Sequence, residues 1–268
     1  MIRLTAKLST LKLFLVYNFK SLVVKILKDI KKKHCLFCDE TTYNTEAICC
    51  PCYQDLPWNT HHCSRCALPF PTTIKAAKKA TNKHAIRFEC GECISAPPPF
   101  TATVASFRYE TPVDKAIQML KYHRKQYFAT LFTYFLATTI KQSYQGTTLP
   151  SCLIPVPMHR SKLKARGFNQ AQLISHKLSR LLSIPSNSDI LHKIKSTPAQ
   201  TGLSKIERIR NLKGAFRLTD SVAGLHIALV DDVVTTRATA DLLCKLLIDA
   251  GAKRVDVWCI ARTSKHRN

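Results

Sequence analysis

The sequence predicts an α/β fold, an open and mainly parallel sheet preceded by a small zinc-ribbon-like cysteine module, and three observations carry that expectation. From residue 101 onward, short β-branched or aromatic runs alternate with stretches of 3.6-residue periodicity. Before that point, cysteines recur in pairs with two residues between them. Ala96 to Pro99, a residue run of Ala-Pro-Pro-Pro, separates the two regions as a composition break suited to a domain boundary. Three parts follow: a basic amphipathic helical extension over residues 1–34, a double zinc-binding cysteine module over 35–99, and the α/β domain over 100–268.

Within the α/β part, Thr101 to Tyr109 reads as a strand, Pro112 to His123 and Gln126 to Lys141 as helices, and Ser151 to Val156 as a buried strand. Asn169 to Leu182 is a helix, His226 to Val230 a strand, Thr236 to Ala250 a helix and Arg254 to Ala261 a strand. At the other end, Leu4, Leu8, Leu11, Leu15, Phe19, Leu22, Ile26 and Ile30 recur at three- and four-residue spacing and form one helix face. That face either packs on its own protein or makes a peripheral membrane or partner contact through residues 1–30. Leu11 to Tyr17 follows two cations as a secretory signal would, but Lys12 breaks the run and no small-residue cleavage site appears. A cytoplasmic protein is therefore expected, with the inner face of the membrane within its reach.

Composition narrows the partners. The chain has 268 residues, 46% of them apolar, which excludes a disordered chain and a small disulfide scaffold. Its formal net charge of +24 is unevenly spread. Residues 1–34 hold nine Lys/Arg and one acid, residues 35–93 hold six of each, and the surplus of +16 lies beyond. A polyanion fits that surplus: nucleic acid, an anionic membrane surface or a phosphate-rich ligand.

Eight of the twelve cysteines form four pairs: Cys35 with Cys38, Cys49 with Cys52, Cys63 with Cys66, and Cys90 with Cys93. Two thiolates at this spacing grip one ion from a tight turn, and two pairs complete a tetrahedral structural Zn2+ site. Simple sequential pairing gives one site from the first four and a second from the last four; a cross-braced pairing of alternate pairs stays open. Cys50 reads as a bystander beside Cys49, although either could be the ligand; His34, His61 and His62 are spare ligands, and Cys152, Cys244 and Cys259 small buried hydrophobes.

The most informative segment is Ile227-Ala-Leu-Val-Asp-Asp-Val-Val-Thr-Thr-Arg-Ala-Thr239. A buried strand ends in two carboxylates, and small hydroxyl residues then open a helix. In an open α/β sheet this end binds ligands. Backbone amides and the hydroxyls of Thr235, Thr236 and Thr239 can wrap a phosphate, while Asp231 and Asp232 can accept from sugar hydroxyls.

This stretch resembles the fingerprint of the type I phosphoribosyltransferases, which bind phosphoribosyl pyrophosphate (PRPP). The resemblance implies a type I phosphoribosyltransferase-like sheet and assigns the 5-phosphate to Thr235, Thr236, Arg237, Ala238 and Thr239, and the ribose hydroxyls to Asp231 and Asp232. Arg237 departs from it, standing where glycine is usual. Pro155 to Gln170, with Pro157, Met158, His159, Arg160, Lys162, Lys164 and Arg166, sits where that family's pyrophosphate loop lies. Thr197 to Ser204, followed by Glu207, Arg208 and Asn211, sits where its catalytic lid lies.

Together with the cysteine pairs and Val257-Trp-Cys-Ile-Ala-Arg262, these motifs look like the ComF/GntX family over roughly residues 35–262. That resemblance implies uptake or utilisation of DNA, with single-stranded DNA and uptake-machinery proteins as partners and a retained PRPP-type site loaded with Mg2+. Arg160, Lys162, Arg166 and Arg208 are the cations that would stabilise a departing pyrophosphate if phosphoribosyl transfer is catalysed. Two alternatives follow from the same residues: a phosphoribosyltransferase with an unidentified acceptor, and a non-catalytic PRPP sensor. Tyr109, Tyr122, Tyr127 and Phe128, interleaved with Lys121, Arg124 and Lys125, are either a base-stacking surface or core.

Overall fold

The computed structural model describes residues 33–44, 46–71, 88–195 and 214–264. The amphipathic run before residue 33, the segment from Thr197 to Asn211 and with it Arg208 lie outside the described residues. The chain divides into two compact units, residues 1–55 and 56–268.

In the first unit, β1 (Lys33–His34) pairs antiparallel with β2 (Thr41–Thr42), and α1 (Cys50–Gln54) follows. The turn between the strands is closed by Cys35 N donating to Glu40 O at 2.8 Å and Asp39 N to Cys35 O at 2.9 Å. Pro51 occupies the first turn of α1, where its missing N–H costs nothing.

The second unit is built on four parallel strands. They are β3 (Thr103–Arg108), β4 (Cys152–Pro155), β7 (His226–Val234) and β8 (Arg254–Arg262), ordered β3-β8-β7-β4. Register is set by pairs such as Leu229 with Val257 and Ile154 with Leu229. The two central strands are buried on both faces, which is why they read as continuous apolar runs rather than alternating ones. A small antiparallel hairpin, β5 (Leu191–Lys193) with β6 (Phe216–Leu218), stands apart from this sheet.

After α1 comes the short α2 (Gly91–Ser95), which carries Cys93, and longer helices cover both faces of the sheet. On one side α4 (Tyr127–Ser143) and α6 (Gln170–Leu182) pack against each other and the sheet, with α3 (Val113–His123) beside α4. Burial of Ala171, Ile174, Ser175, Leu178 and Leu182 follows the predicted helical stripe of α6, and Asn169 caps it by accepting from Ala171 N at 3.0 Å. On the other side α7 (Ala238–Asp249) contributes Leu243, Cys244 and Leu247 to a core shared with Phe100, Ala105, Val257, Cys259 and the cysteines 63, 66, 90 and 93. Cys152, Cys244 and Cys259 are buried, as expected of small hydrophobes. Among the described residues no helix is long and apolar enough to cross a membrane.

Two segments differ from the sequence expectation. The cationic stretch read as a loop contains α5 (Arg160–Arg166), which ends at Gly167 with φ of +85°, a conformation glycine adopts without a steric cost. Strand β7 runs on to Val234, so the acidic pair lies inside the strand rather than after it.

At the opposite, N-terminal edge of the sheet, Asp256 is fully buried and paired three ways. It accepts from Tyr144 Oη at 2.6 Å, contacts His226 Nε2 at 2.7 Å and meets Arg254 Nη2 at 3.0 Å. Asp256→Ala leaves those donors unpaired and is expected to cost about 3–5 kcal/mol, measured as a lowered urea midpoint. A loss below 1 kcal/mol would show the network contributes little.

Candidate functional site

At the C-terminal edge of the sheet, β7 presents Asp231 and Asp232 in adjacent positions. Each carboxylate is fixed by the following amide, Asp232 N donating to Asp231 Oδ1 and Val233 N to Asp232 Oδ1, both at 2.8 Å. Asp232 is buried, and Lys121 of α3 reaches it with Nζ 2.6 Å from Oδ2. Burial works to lower the Lys121 amine, but the Asp232 and Asp231 carboxylates more than offset it and hold the amine charged. Among the described residues no cation pairs with Asp231 in this way, and burial together with the Asp232 charge pushes its carboxyl up to about 8.

Beyond the pair, Thr235 and Thr236 are exposed and Thr239 is half-buried, so the hydroxyl loop faces outward at the start of α7. Arg237 takes the left-handed conformation at φ +65°, a backbone shape that glycine adopts freely and other residues rarely. Its side chain, however, is 4% exposed and turns inward: Nη1 donates to Cys93 Sγ at 3.0 Å, and Nε lies 3.8 Å from Asp241 Oδ2. The guanidinium therefore serves the cysteine cluster, while the backbone of Arg237 and Ala238 shapes the loop.

Next to β7, Val156 N donates to Val230 O at 2.8 Å, so the segment leaving β4 starts one residue from Asp231. Pro157, Met158, His159 and Arg160 line a groove of about 610 Å³ whose far wall is the β5–β6 hairpin with Lys193 and Arg217. His159 Nδ1 accepts from Ser161 N at 3.2 Å and caps α5. Lys193 is drawn down to about 8 by burial and by the charge of Lys162. Lys162 and Lys164 are exposed, Arg166 is half-buried over the Tyr122 ring at 5.5 Å, and Arg166 Nη1 also donates to Gln170 Oε1 at 2.9 Å. Arg160, Lys193 and Arg217 give this groove a cationic lining that suits an anion.

The cysteines gather as two sets of four, Cys35, Cys38, Cys49 and Cys52 in the first unit and Cys63, Cys66, Cys90 and Cys93 in the second. This is the sequential pairing; the cross-braced one does not occur. Among the described residues, neither Cys50 nor a histidine joins either set. Sulfurs of Cys38 and Cys49 are 3.6 Å apart, and those of Cys66 and Cys90 are 3.7 Å apart. A disulfide needs about 2.05 Å, whereas tetrahedral Zn–S bonds of about 2.3 Å place sulfurs roughly 3.8 Å from one another. The donor sets therefore fit zinc. The second is wholly buried, and its thiols lean on one another: the Cys66 hydrogen bond pulls Cys63 down to about 4 while Cys66 itself is pushed up. Four thiolates in that space require a cation.

No family model matches the chain. The DNA utilization protein YhgH of Shigella flexneri is 35% identical over 218 residues, which cover 81% of this chain and 90% of that protein. This chain belongs to the YhgH/ComF family. Competence protein F of Haemophilus influenzae, another relative, is 36% identical over 179 residues, 65% of this chain and 78% of its own length. Among solved structures, a purine phosphoribosyltransferase from Pyrococcus horikoshii Ot3 aligns over 49% of this chain and 70% of its own, at 16% identity and a TM-score of 0.31.

In this YhgH/ComF member, two residues take places in the site that the sequence reading did not give them. Lys121 sits in the last turn of α3 close to other cations, and only the approach of α3 to the strand edge singles it out. Arg262 ends β8 and is 3% exposed; it donates from Nε to Cys66 O at 3.1 Å and from Nη1 to Val234 O at 3.0 Å and to Thr235 O. The aromatic cluster splits, with Phe128 in the core and Tyr122 and Tyr127 exposed.

Proposed function

We propose that this protein takes part in the uptake or utilisation of DNA, handling single strands, and retains a PRPP-type site at the C-terminal edge of its sheet. The observation that carries the reading is the 35% identity to a DNA utilization protein across 90% of that protein's length. The acidic pair, the hydroxyl loop and the adjoining cationic groove support the ligand half of it. In that site Asp231 and Asp232 accept from the ribose hydroxyls, the amides and hydroxyls of 235–239 hold the 5-phosphate, and Arg160, Lys162 and Arg166 face the diphosphate. Mg2+ would arrive with the ligand and neutralise the diphosphate. Zn2+ would fill both tetracysteine sets in a structural role, without an open coordination position.

Single strands suit the same edge of the molecule. Tyr122 and Tyr127 offer exposed rings beside Arg124, Lys125 and Arg166, the mix of stacking faces and phosphate partners that binds bases without reading sequence. Titration calorimetry with PRPP and Mg2+, run with and without a single-stranded oligonucleotide, tests both halves. Oligonucleotide affinity is expected to fall steeply between 50 and 200 mM salt, by about tenfold or more for every few phosphates contacted. PRPP bound without turnover favours a sensing role, and pyrophosphate release favours a transferase. Binding of neither probe would sink the proposal.

A further inference from the structure

Two buried arginines connect the second tetracysteine set to the loop that follows β7. Arg237 belongs to the loop and donates to Cys93 Sγ; Arg262 comes from the neighbouring strand and bridges Cys66 O to Val234 O and Thr235 O. We propose that the second metal site positions the Thr235–Thr239 loop through Arg237, so that metal loading and loop conformation form one coupled state.

Three features lead there. First, a non-glycine residue at φ +65° persists only where its surroundings over-determine it. For Arg237 those surroundings are the sulfur of Cys93 and the carboxylate of Asp241, both contacted from the buried guanidinium. Second, four thiolates on a divalent ion leave two negative charges inside the core. Arg237 lies directly against one of the sulfurs and Arg262 against the backbone of another ligand, so two cations meet two excess charges. Third, the same two arginines contact residues on both sides of the loop's first turn, Val234 and Thr235 through Arg262 and residue 237 itself. Moving the loop outward must withdraw a donor from the cluster, and losing the metal must remove what holds Arg237 in its inward position. Coupling of this kind is reciprocal: whatever orders the loop tightens the hold on the metal.

Arg237 is thus a positioning residue, and the inference is independent of which anion the loop takes. Glycine at 237 accepts the left-handed backbone freely, so Arg237→Gly removes the side-chain link without adding strain. The test uses the full zinc-loaded chain and follows zinc release to a chromogenic chelator together with amide hydrogen exchange at residues 235–239. In Arg237→Gly one zinc equivalent is expected to leave about 10–100-fold faster, the usual effect of losing a hydrogen bond to a metal ligand, with the other equivalent unchanged. Exchange in the loop should accelerate alongside it. Arg237→Lys, which keeps the charge but not the fork of donors, should fall between the two, and it decides the matter if the glycine variant does not fold. Release and exchange both within twofold of the parent chain overturn the proposal. So does a change in one without the other, because the two would then not be a single state.

Discussion

Replacing Cys66 or Cys93 by serine is expected to abolish the cooperative thermal transition of the sheet unit, not merely to loosen a peripheral module. The reason is where those sulfurs lie. Cys63, Cys66, Cys90 and Cys93 share one core with Phe100, Ala105, Leu243, Val257 and Cys259, packed on one face of the parallel sheet. Structural zinc contributes on the order of 10 kcal/mol to folding in small domains, about as much as the whole net stability of an ordinary one. Removing one ligand forfeits most of that and leaves the remaining thiols crowded in a buried space, where Cys63 and burial push Cys66 above its ordinary range and burial and Cys90 push Cys93 up. Cys50→Ser is the control, since Cys50 is exposed and outside both sets. Circular dichroism melts and zinc content measured together decide the outcome. A Cys66→Ser chain that has lost one zinc yet melts within about 3 °C of the parent would show that the metal does not carry the sheet.

What the sequence made legible follows from how local each signal is. Cysteine pairs two residues apart and strand-helix alternation are short-range patterns, and both tetracysteine sets and every element of the main sheet appear within a few residues of their expected bounds. Helix α5 was hidden by its charge, because four cations in seven residues erase the apolar stripe that marks a helix. The signal that could have found it was the run of helix formers closed by Gly167. Strands β5 and β6 are three residues each, too short for any period to register. The partners of Lys121 and Arg262 are missing from a linear reading for a different reason. They lie 111 and 196 residues away in the chain, Asp232 for one and Cys66 for the other, and only the fold brings them together. Arg237 was the informative departure: the position demands a left-handed backbone, and the sequence could not say that the side chain would face sulfur instead of the ligand.

The acidic pair gives the second large effect, with its two members behaving oppositely toward stability. Asp231→Asn and Asp232→Asn should each weaken PRPP binding by about 100-fold or more, since a ribose clasp loses a charged acceptor worth roughly 1.5–3 kcal/mol and the remaining geometry loosens with it. Their stabilities diverge because their surroundings do. Asp232 neutralises Lys121, which is largely buried, so Asp232→Asn leaves a buried cation without its partner and is expected to lower the melting temperature. Asp231 carries a folded-state value of about 8 against 3.8 for the free side chain. Between those two pH values the folded chain holds a proton that the unfolded chain has released, so this group's contribution to stability is full below about pH 4 and is lost as pH rises to about 8. Asn cannot ionise, so Asp231→Asn should match the parent at pH 4 and melt several degrees higher at pH 8.5. Binding runs the other way: a ligand that needs the ionised carboxylate should bind the parent more tightly as pH climbs toward 8, by at most tenfold per unit, and this dependence should vanish in Asp231→Asn. Melting curves at the two pH values and titrations across the interval provide both readings. Equal stabilities of parent and Asp231→Asn at pH 8.5, with a flat binding profile for the parent, would place the Asp231 carboxylate in ordinary solvent and remove it from the site.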